Sequence, residues 1–390
     1  MGVCGVVPHD FLEKQVRRRG EAHGRARVAI AYFLHGVHRQ NAYGVDCFRV
    51  EIGPVQLLRK GHGSEPTGVG AYDHGVTSVG EPRVAVDLPP VEPEKASAQD
   101  IVGAYIGLMK PRVIELLLLT TVPVMFFAAK GVPDLWLVVA TVVGGTLSAG
   151  SASVFNCVYD RDIDEQMRRT RRRALPRHIV SPTAALVFGG VLAVASTAIL
   201  AIWVNNLSAA LSLGANAFYV FVYTMLLKRR TTQNIVWGGI AGCMPALIGW
   251  TAVTNHLAWP PVVLAAVVFF WTPPHTWSLA LRYREDYASV DVPMLPVVKG
   301  AHDVAIQMVI YTWVTVLVAL SFWPIAHTGW LYPCLAVVLG AVFLLQAHAV
   351  ERRARLSDEL SVLKPMNLFH GSNLYLSLLF VAVAIDPLIR

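Results

Sequence analysis

Beyond about residue 110 the apolar positions run together in stretches of about twenty residues, and polar residues are confined to short connections between them. A helix of that length crosses the hydrocarbon of a bilayer, which is about 30 Å thick. The pattern predicts nine spanning helices, over 111–129, 135–157, 183–204, 207–227, 235–253, 261–281, 304–324, 328–349 and 372–388. A re-entrant segment in place of one weak span is the alternative. Local chemistry supports several starts: Ser181 followed by Pro182 supplies an N-cap and then a proline at the first helical position. The expected fold class is therefore an all-α integral membrane protein, a nine-helix bundle.

Basic residues divide the connections into two kinds. After helix 2 come Arg161, Arg168, Arg169, Arg171, Arg172, Arg173 and Arg177; after helix 4, Lys228, Arg229 and Arg230; after helix 8, Arg352, Arg353, Arg355 and Lys364. The opposite connections hold little beyond Lys130. The positive-inside rule places the N-terminal side and the connections after helices 2, 4, 6 and 8 in the cytoplasm, or in the matrix if the membrane is mitochondrial. Nine spans then leave Arg390 outside.

Composition sharpens this picture. Of the 390 residues 54% are hydrophobic and 15% charged, whereas a soluble globule carries roughly 25% charged residues. The net charge of +7 sits in clusters between spans rather than on one soluble face, so it reports topology and gives no nucleic-acid surface. Five cysteines without CxxC or Cys/His spacing imply neither a disulfide framework nor a zinc site. Residues 1–95 differ in kind, with many glycines and histidines and no apolar run long enough to span. They read as a disordered segment, a loosely structured appendage, or residues added by an early start codon. The expected division is a poorly structured extension over 1–99 and a membrane domain over 100–390.

The residues with most chemical content follow helix 2. Asn156, Asp160 and Asp164 are spaced by four, so each step drifts only about 40° and the three oxygen-bearing side chains share one helical face. Such a ladder suits a hard cation; Mg²⁺ bridges one or two carboxylates to substrate phosphates. A bare carboxylate ladder at the carbonyl end of a helix would repel a diphosphate, so a metal bridge is needed. The bland alternative is an acidic loop paired with the arginines that follow it. A second patch after helix 6 holds Asp286, Tyr287 and Asp291, and because helices 2 and 6 end on the same side, the two patches can face one opening. Alone, that patch reads equally as an ordinary juxtamembrane loop.

Cations stand on the same side: Lys110 and Arg112 open helix 1, and Lys228 and Arg229 precede helix 5. Each fits either anion binding, at a helix N-terminus in the first case, or plain membrane anchoring. Helix 6 contains Trp271, Pro273, Pro274 and His275. Adjacent prolines free backbone carbonyls, which a membrane protein tolerates beside neighbours or a cavity. His275 is then either a hydrogen-bonded core histidine or a contact to a polar or metal-bearing substrate.

With these residues in view, the chain from about Tyr105 to Pro387 resembles the UbiA superfamily of intramembrane prenyltransferases, and within it the branch that farnesylates heme. The superfamily pattern NxxxDxxxD is met by Asn156, Asp160 and Asp164. More specific are Lys110-Pro111-Arg112, Tyr223 to Arg229, Asn234 to Gly242, Trp271 to His275, and Asp286-Tyr287 followed by Val292 to Gly300. Two departures stand out. The second motif is usually DxxxD, whereas Asp286 and Asp291 are five apart, and His370 stands where a basic residue is expected.

The resemblance implies a UbiA-type bundle with its active-site mouth facing the cytoplasm, farnesyl diphosphate as donor, heme b as acceptor and heme O as product. Mg²⁺ is the implied cofactor, held by Asn156, Asp160, Asp164 and Asp286, with Asp291 as a further ligand; Asp160, Asp164 and Asp286 are the implied catalytic groups. Lys110, Arg112, Lys228 and Arg229 would bind the diphosphate, and His275, Trp271 and Tyr287 would border the heme. Implied partners are the two substrates, the lipid bilayer and, at the level of assembly, heme A synthase or a terminal oxidase. The expected location is a bacterial plasma membrane, with the mitochondrial inner membrane as alternative. Two rivals stay open: the same chemistry on a quinone precursor or chlorophyllide, and a transporter with intramembrane polar groups.

Overall fold

The structure is a computed structural model that describes residues 97–389; the expectation for residues 1–95 lies outside the described residues. Among those described, nine helices are long and apolar enough to cross a membrane. They are α1 (Pro111–Ala129), α2 (Leu135–Tyr159), α3 (Pro182–Trp203), α4 (Asn206–Leu227), α5 (Asn234–Thr254), α6 (Trp259–Arg282), α7 (Ala301–Ala326), α8 (Leu331–Ala354) and α9 (Pro365–Ile385). The all-α reading from hydropathy therefore holds.

The starts of these helices follow capping rules. The Ser181 hydroxyl accepts from Ala184 N at 3.2 Å, with Pro182 at the first helical position. Asp134 accepts from Leu137 N at 2.9 Å to open α2. α9 begins at Pro365, earlier than the expected 372, because Lys364 turns left-handed (φ 47°) and Pro365 starts a polar first turn that hydropathy alone does not register. A further helix, Ala98–Met109, precedes α1 and is closed by a capping box in which Ser97 and Asp100 exchange hydrogen bonds. Its Leu108 packs with Val154, Cys157 and Leu175. Lys110, left-handed at φ 57°, ends this helix and starts α1 in one residue.

Sequential helices pack on one another, and α1 also packs against α5 and α9, which closes the bundle. Small residues permit the closest approaches, as in membrane helices generally. A Cβ on Gly249 of α5 would lie 2.4 Å from the Thr121 carbonyl oxygen of α1, and one on Gly238 would strike the Tyr223 ring at 2.4 Å. Between α2 and α3, Ser151 donates to Gly189 O at 2.8 Å and Ser196 to Gly144 O at 2.7 Å. Four of the exposed tryptophans, Trp136, Trp203, Trp259 and Trp330, stand at the helix ends opposite Asp160, where an interfacial aromatic belt places them.

Candidate active site

The helical path does not stop where α2 ends. Asp160 N donates to Asn156 O and Asp164 N to Asp160 O, both at 2.9 Å, and the chain continues into the short helix Arg161–Gln166. The i, i+4 spacing is thus kept across the junction, and Asn156, Asp160 and Asp164 do share one face. All three are buried, at 4%, 1% and 3% exposure. Carboxylates so far from water require charge partners.

Those partners come from distant segments. Asn156 Nδ2 donates to Asp160 Oδ2 at 2.7 Å, while its Oδ1 accepts from Lys110 Nζ at 2.7 Å. Lys228 forms an ion pair with Asp160 Oδ2, and Arg229 reaches Asp160 Oδ1 at 3.3 Å and both oxygens of Asp162 at 2.7 Å. Arg173 closes on Asp164 Oδ2 at 2.6 Å. Burial opposes the Lys228 charge, but Asp160 outweighs it and holds its pKa above the ordinary lysine value. Arg173 behaves likewise through Asp164. Lys110 has the Asn156 amide as its hydrogen-bond partner, and burial, aided by the nearby charges of Arg173 and Lys228, pulls its pKa below the lysine range. The hydrogen bond from Arg229 lowers the Asp162 pKa.

Lys228 is delivered by an unusual backbone. Over Phe218–Leu227, α4 widens to i→i+5 bonding, and Lys228 N donates to Tyr223 O at 2.9 Å. Such widening is rare and concentrates at functional sites. It turns Thr224 inward, where its hydroxyl bonds Tyr219 O at 2.9 Å and receives Asn156 Nδ2 at 3.2 Å. Tyr219 and Tyr223 line a cavity of about 380 Å³ that begins at Lys110 and runs between α1, α2, α4 and α5. Thr121, Thr141 and Ile248 line it farther along their helices. Its walls are mostly apolar, so an extended hydrocarbon fits and water is disfavoured there.

The second patch approaches the first through the connection after α2. Asp286, 9% exposed, accepts from Arg169 N at 3.1 Å. The Arg169 guanidinium donates to Tyr287 Oη at 2.9 Å and lies 4.9 Å from the Tyr283 ring centroid and 5.3 Å from that of Tyr287. Asp291 is exposed, in a left-handed turn (φ 54°), and Arg112 is exposed at the start of α1. Trp271 and His275 are brought together, stacked at 4.2 Å, whereas Tyr287 belongs to the Arg169 cluster. Sequence reasoning overlooked Thr224, Tyr219 and Arg173 as site residues. Their signal, a hydroxyl or a cation on the inward face, emerges only once the helices are paired.

The donor set answers the question of a metal. Asn156, Asp160, Asp164 and Asp286 offer only hard oxygen atoms, and each is buried and already compensated by a cation or an N–H group. That chemistry fits Mg²⁺, whose sites are completed by substrate phosphates and water. Among the described residues no three of His, Cys, Asp and Glu gather into a ready-made cage.

The sequence profile of the UbiA prenyltransferase family matches residues 117–373. Curated relatives include the protoheme IX farnesyltransferase of Nocardioides sp., 76% identical over 76% of this chain and 94% of that protein. The protoheme IX farnesyltransferase of Cutibacterium acnes is 61% identical over 76% of this chain and 88% of its own. Among solved structures, digeranylgeranylglyceryl phosphate synthase shares the fold with a TM-score of 0.62 at 12% identity, covering 74% of this chain and 99% of that one. A UbiA homologue from Archaeoglobus fulgidus bound to GPP and Mg²⁺ gives 0.55 at 16% identity, over 74% and 100%.

Proposed function

The chain belongs to the UbiA prenyltransferase family, and from that premise we propose that it transfers a farnesyl group from farnesyl diphosphate to a vinyl group of heme b, giving heme O. The observation that carries the reading is the buried ladder of Asn156, Asp160 and Asp164, ringed by Lys110, Lys228, Arg229 and Arg173 at the opening of an apolar cavity. The acceptor rests on the relatives from Nocardioides sp. and Cutibacterium acnes, each named a protoheme IX farnesyltransferase.

In this reading Asn156, Asp160, Asp164 and Asp286 would hold Mg²⁺, with Asp291 at the exposed rim. When bound, the metal neutralises diphosphate charge and stabilises it as a leaving group. Lys228 and Arg229 exchange part of their contact with Asp160 for diphosphate oxygens. Lys110 adds its charge from the other side, and Arg112 extends the basic opening. The farnesyl chain occupies the cavity, whose walls keep water from the allylic cation as the C1–oxygen bond breaks.

The terminal vinyl carbon of heme b bonds to C1 of that cation. Water adds to the carbon left positive beside the porphyrin ring and gives up a proton, leaving a hydroxyethylfarnesyl substituent and free diphosphate. Trp271 and His275 border the acceptor, with Tyr287 nearer the diphosphate. The basic connections at the site end orient the mouth to the cytoplasm of a bacterial plasma membrane.

The test is incubation of the purified protein in bilayer discs with farnesyl diphosphate and heme b, with and without Mg²⁺. Mass spectrometry should find heme O, with release of pyrophosphate, only when Mg²⁺ is supplied. Prenylation of a quinone precursor but not of heme b would overturn the acceptor, and Mg²⁺-independent turnover would overturn the metal role.

A further inference from the structure

The cavity between α1, α2, α4 and α5 has a closed end, and the residues that close it suit a hydrocarbon. Thr121 of α1, Thr141 of α2, Ser212 of α4 and Ile248 of α5 are the lining residues farthest along their helices from the mouth, and all four are buried. The two threonine hydroxyls bond back to their own helices, Thr121 to Leu117 O at 2.9 Å and Thr141 to Leu137 O at 2.7 Å. Neither then needs a polar partner from an occupant. Beyond this floor the space is filled. Val124 and Met125 of α1 are wholly buried, and the inaccessible Ser208 and Thr251 share a hydrogen bond of 2.8 Å between α4 and α5.

The depth of the cavity matches one length of chain. From Lys110 to Thr121 on α1, and from Tyr223 to Ser212 on α4, helical rise makes the lined stretch about 16 Å long. An extended chain of single bonds advances about 1.2 Å per bond, as a polypeptide backbone does. Farnesyl, with twelve carbons in line, then reaches about 13 Å and geranylgeranyl about 18 Å, each isoprene unit adding about 5 Å. The first fits above the floor and the second does not.

Two glycines hold the lower half of the cavity open. Of the four that line it, Gly238 and Gly239 have neighbours: an added Cβ would lie 2.4 Å from the Tyr223 ring and 3.4 Å from Thr272. A Cβ on Gly145 or Gly242 would meet no heavy atom within 4 Å. Glycine inside a helix is destabilising relative to alanine, and no close approach of helices requires it at these two places. What the missing side chains leave is room. Gly145 stands one turn above Thr141, about 6 Å, which is close to the length of one isoprene unit. We infer that Gly145 and Gly242 admit the third isoprene unit of the donor, and that Ile248, with Thr121 and Thr141, stops a fourth. The inference rests on the prenyl-transfer reading above and deepens it by assigning the residues that set donor length.

The test uses the protein in bilayer discs with Mg²⁺ and geranyl, farnesyl and geranylgeranyl diphosphates. Donor choice is read as ratios of kcat/KM with heme b, and by titration of each donor without heme. The parent should prefer farnesyl. Gly145→Leu should move the farnesyl-to-geranyl ratio towards geranyl on the order of 100-fold, within the discrimination that a hydrophobic pocket achieves by small changes of volume. Ile248→Ala should raise the geranylgeranyl-to-farnesyl ratio on the order of tenfold. Ratios unchanged in both variants overturn the assignment, as does an equal loss for all three donors in Gly145→Leu. Should Gly145→Leu fail to fold, Gly242→Leu is read by the same ratio, and the same outcomes decide.

A parent protein that binds farnesyl and geranylgeranyl diphosphates equally overturns the floor assignment alone. One that binds none of the three donors overturns the prenyl-transfer reading and the inference with it. Because the titration needs no acceptor, failure of the heme reading leaves the donor ratios decisive.

Discussion

The two sides of the bundle are packed on different plans. Between α1, α2, α4 and α5 the inward positions are small, among them Gly145, Ser148, Ala149, Ala152 and Gly239, and a cavity is left open. Between α6, α7, α8 and α9 they are large: Trp277, Phe322, Tyr332, Phe343 and Phe380 are almost wholly buried. Phe343 stacks on Tyr375 at 4.8 Å, and the Tyr332 hydroxyl bonds Ala319 O at 2.9 Å. The filled side forms a fixed wall, and the open side carries the acidic ladder at its mouth.

The comparison breaks hardest at Asp160. Asp160→Asn should cut prenyl transfer on the order of 10³-fold, a loss typical of removing one fixed electrostatic contact to the reacting group. It should also cost about 3 kcal/mol of stability by leaving Lys228 partly buried without its counter-charge. Thermal unfolding together with product assays checks both, and a companion Lys228→Met should recover stability but not activity. Recovery of activity in the double variant would show that Asp160 serves folding alone.

The next test exchanges the two packing plans. Phe343→Ala should lower stability by about 3 kcal/mol while the donor still binds. Ala149→Phe, which fills the cavity, should leave folding nearly intact and raise the KM for farnesyl diphosphate on the order of tenfold. Calorimetry and steady-state kinetics on the pair decide it; equal effects on stability would erase the distinction between the sides.

A smaller effect concerns Lys110. Burial lowers its pKa in the folded protein, so it is charged below that value and loses its proton as pH rises through it, before an ordinary lysine would. Diphosphate affinity should therefore weaken on the alkaline side while Lys228, held charged by Asp160, still contributes. Arginine stays charged throughout, so Lys110→Arg should move the alkaline limb of donor binding to higher pH. The smallest effect is expected at Asp291. Asn tolerates its left-handed backbone, and Asp291→Asn at this exposed position should change activity by about twofold, against a much larger loss for Asp286→Asn in the same assay.

Much of the fold was legible because its signals are local. Apolar length marked the nine spans, Ser181-Pro182 marked a helix start, and the spacing of Asn156, Asp160 and Asp164 marked one helical face. The misses have equally specific causes. The helix Ala98–Met109 is short and half exposed, so it gives no spanning signal. α9 begins with polar Asn367 and His370, which lower hydropathy but not helicity. The widening of α4 over Phe218–Leu227 leaves no composition trace, since its purpose is to turn Thr224 and Lys228 toward α2.

The sequence by itself determined which stretches among the described residues are long and apolar enough to cross a membrane and which residues share a face, because hydropathy and the 3.6-residue period act within a single turn or span. Tertiary structure alone decided which charges meet. Lys110 reaches Asn156 across 46 positions, Lys228 reaches Asp160 across 68, and Arg169 reaches Asp286 across 117. It decided as well that small residues would leave one side open while aromatic ones filled the other. Neither a buried ion pair nor a cavity has a local sequence cost or signature. Both arise only when distant helices close on each other and each buried charge has to find a partner away from water.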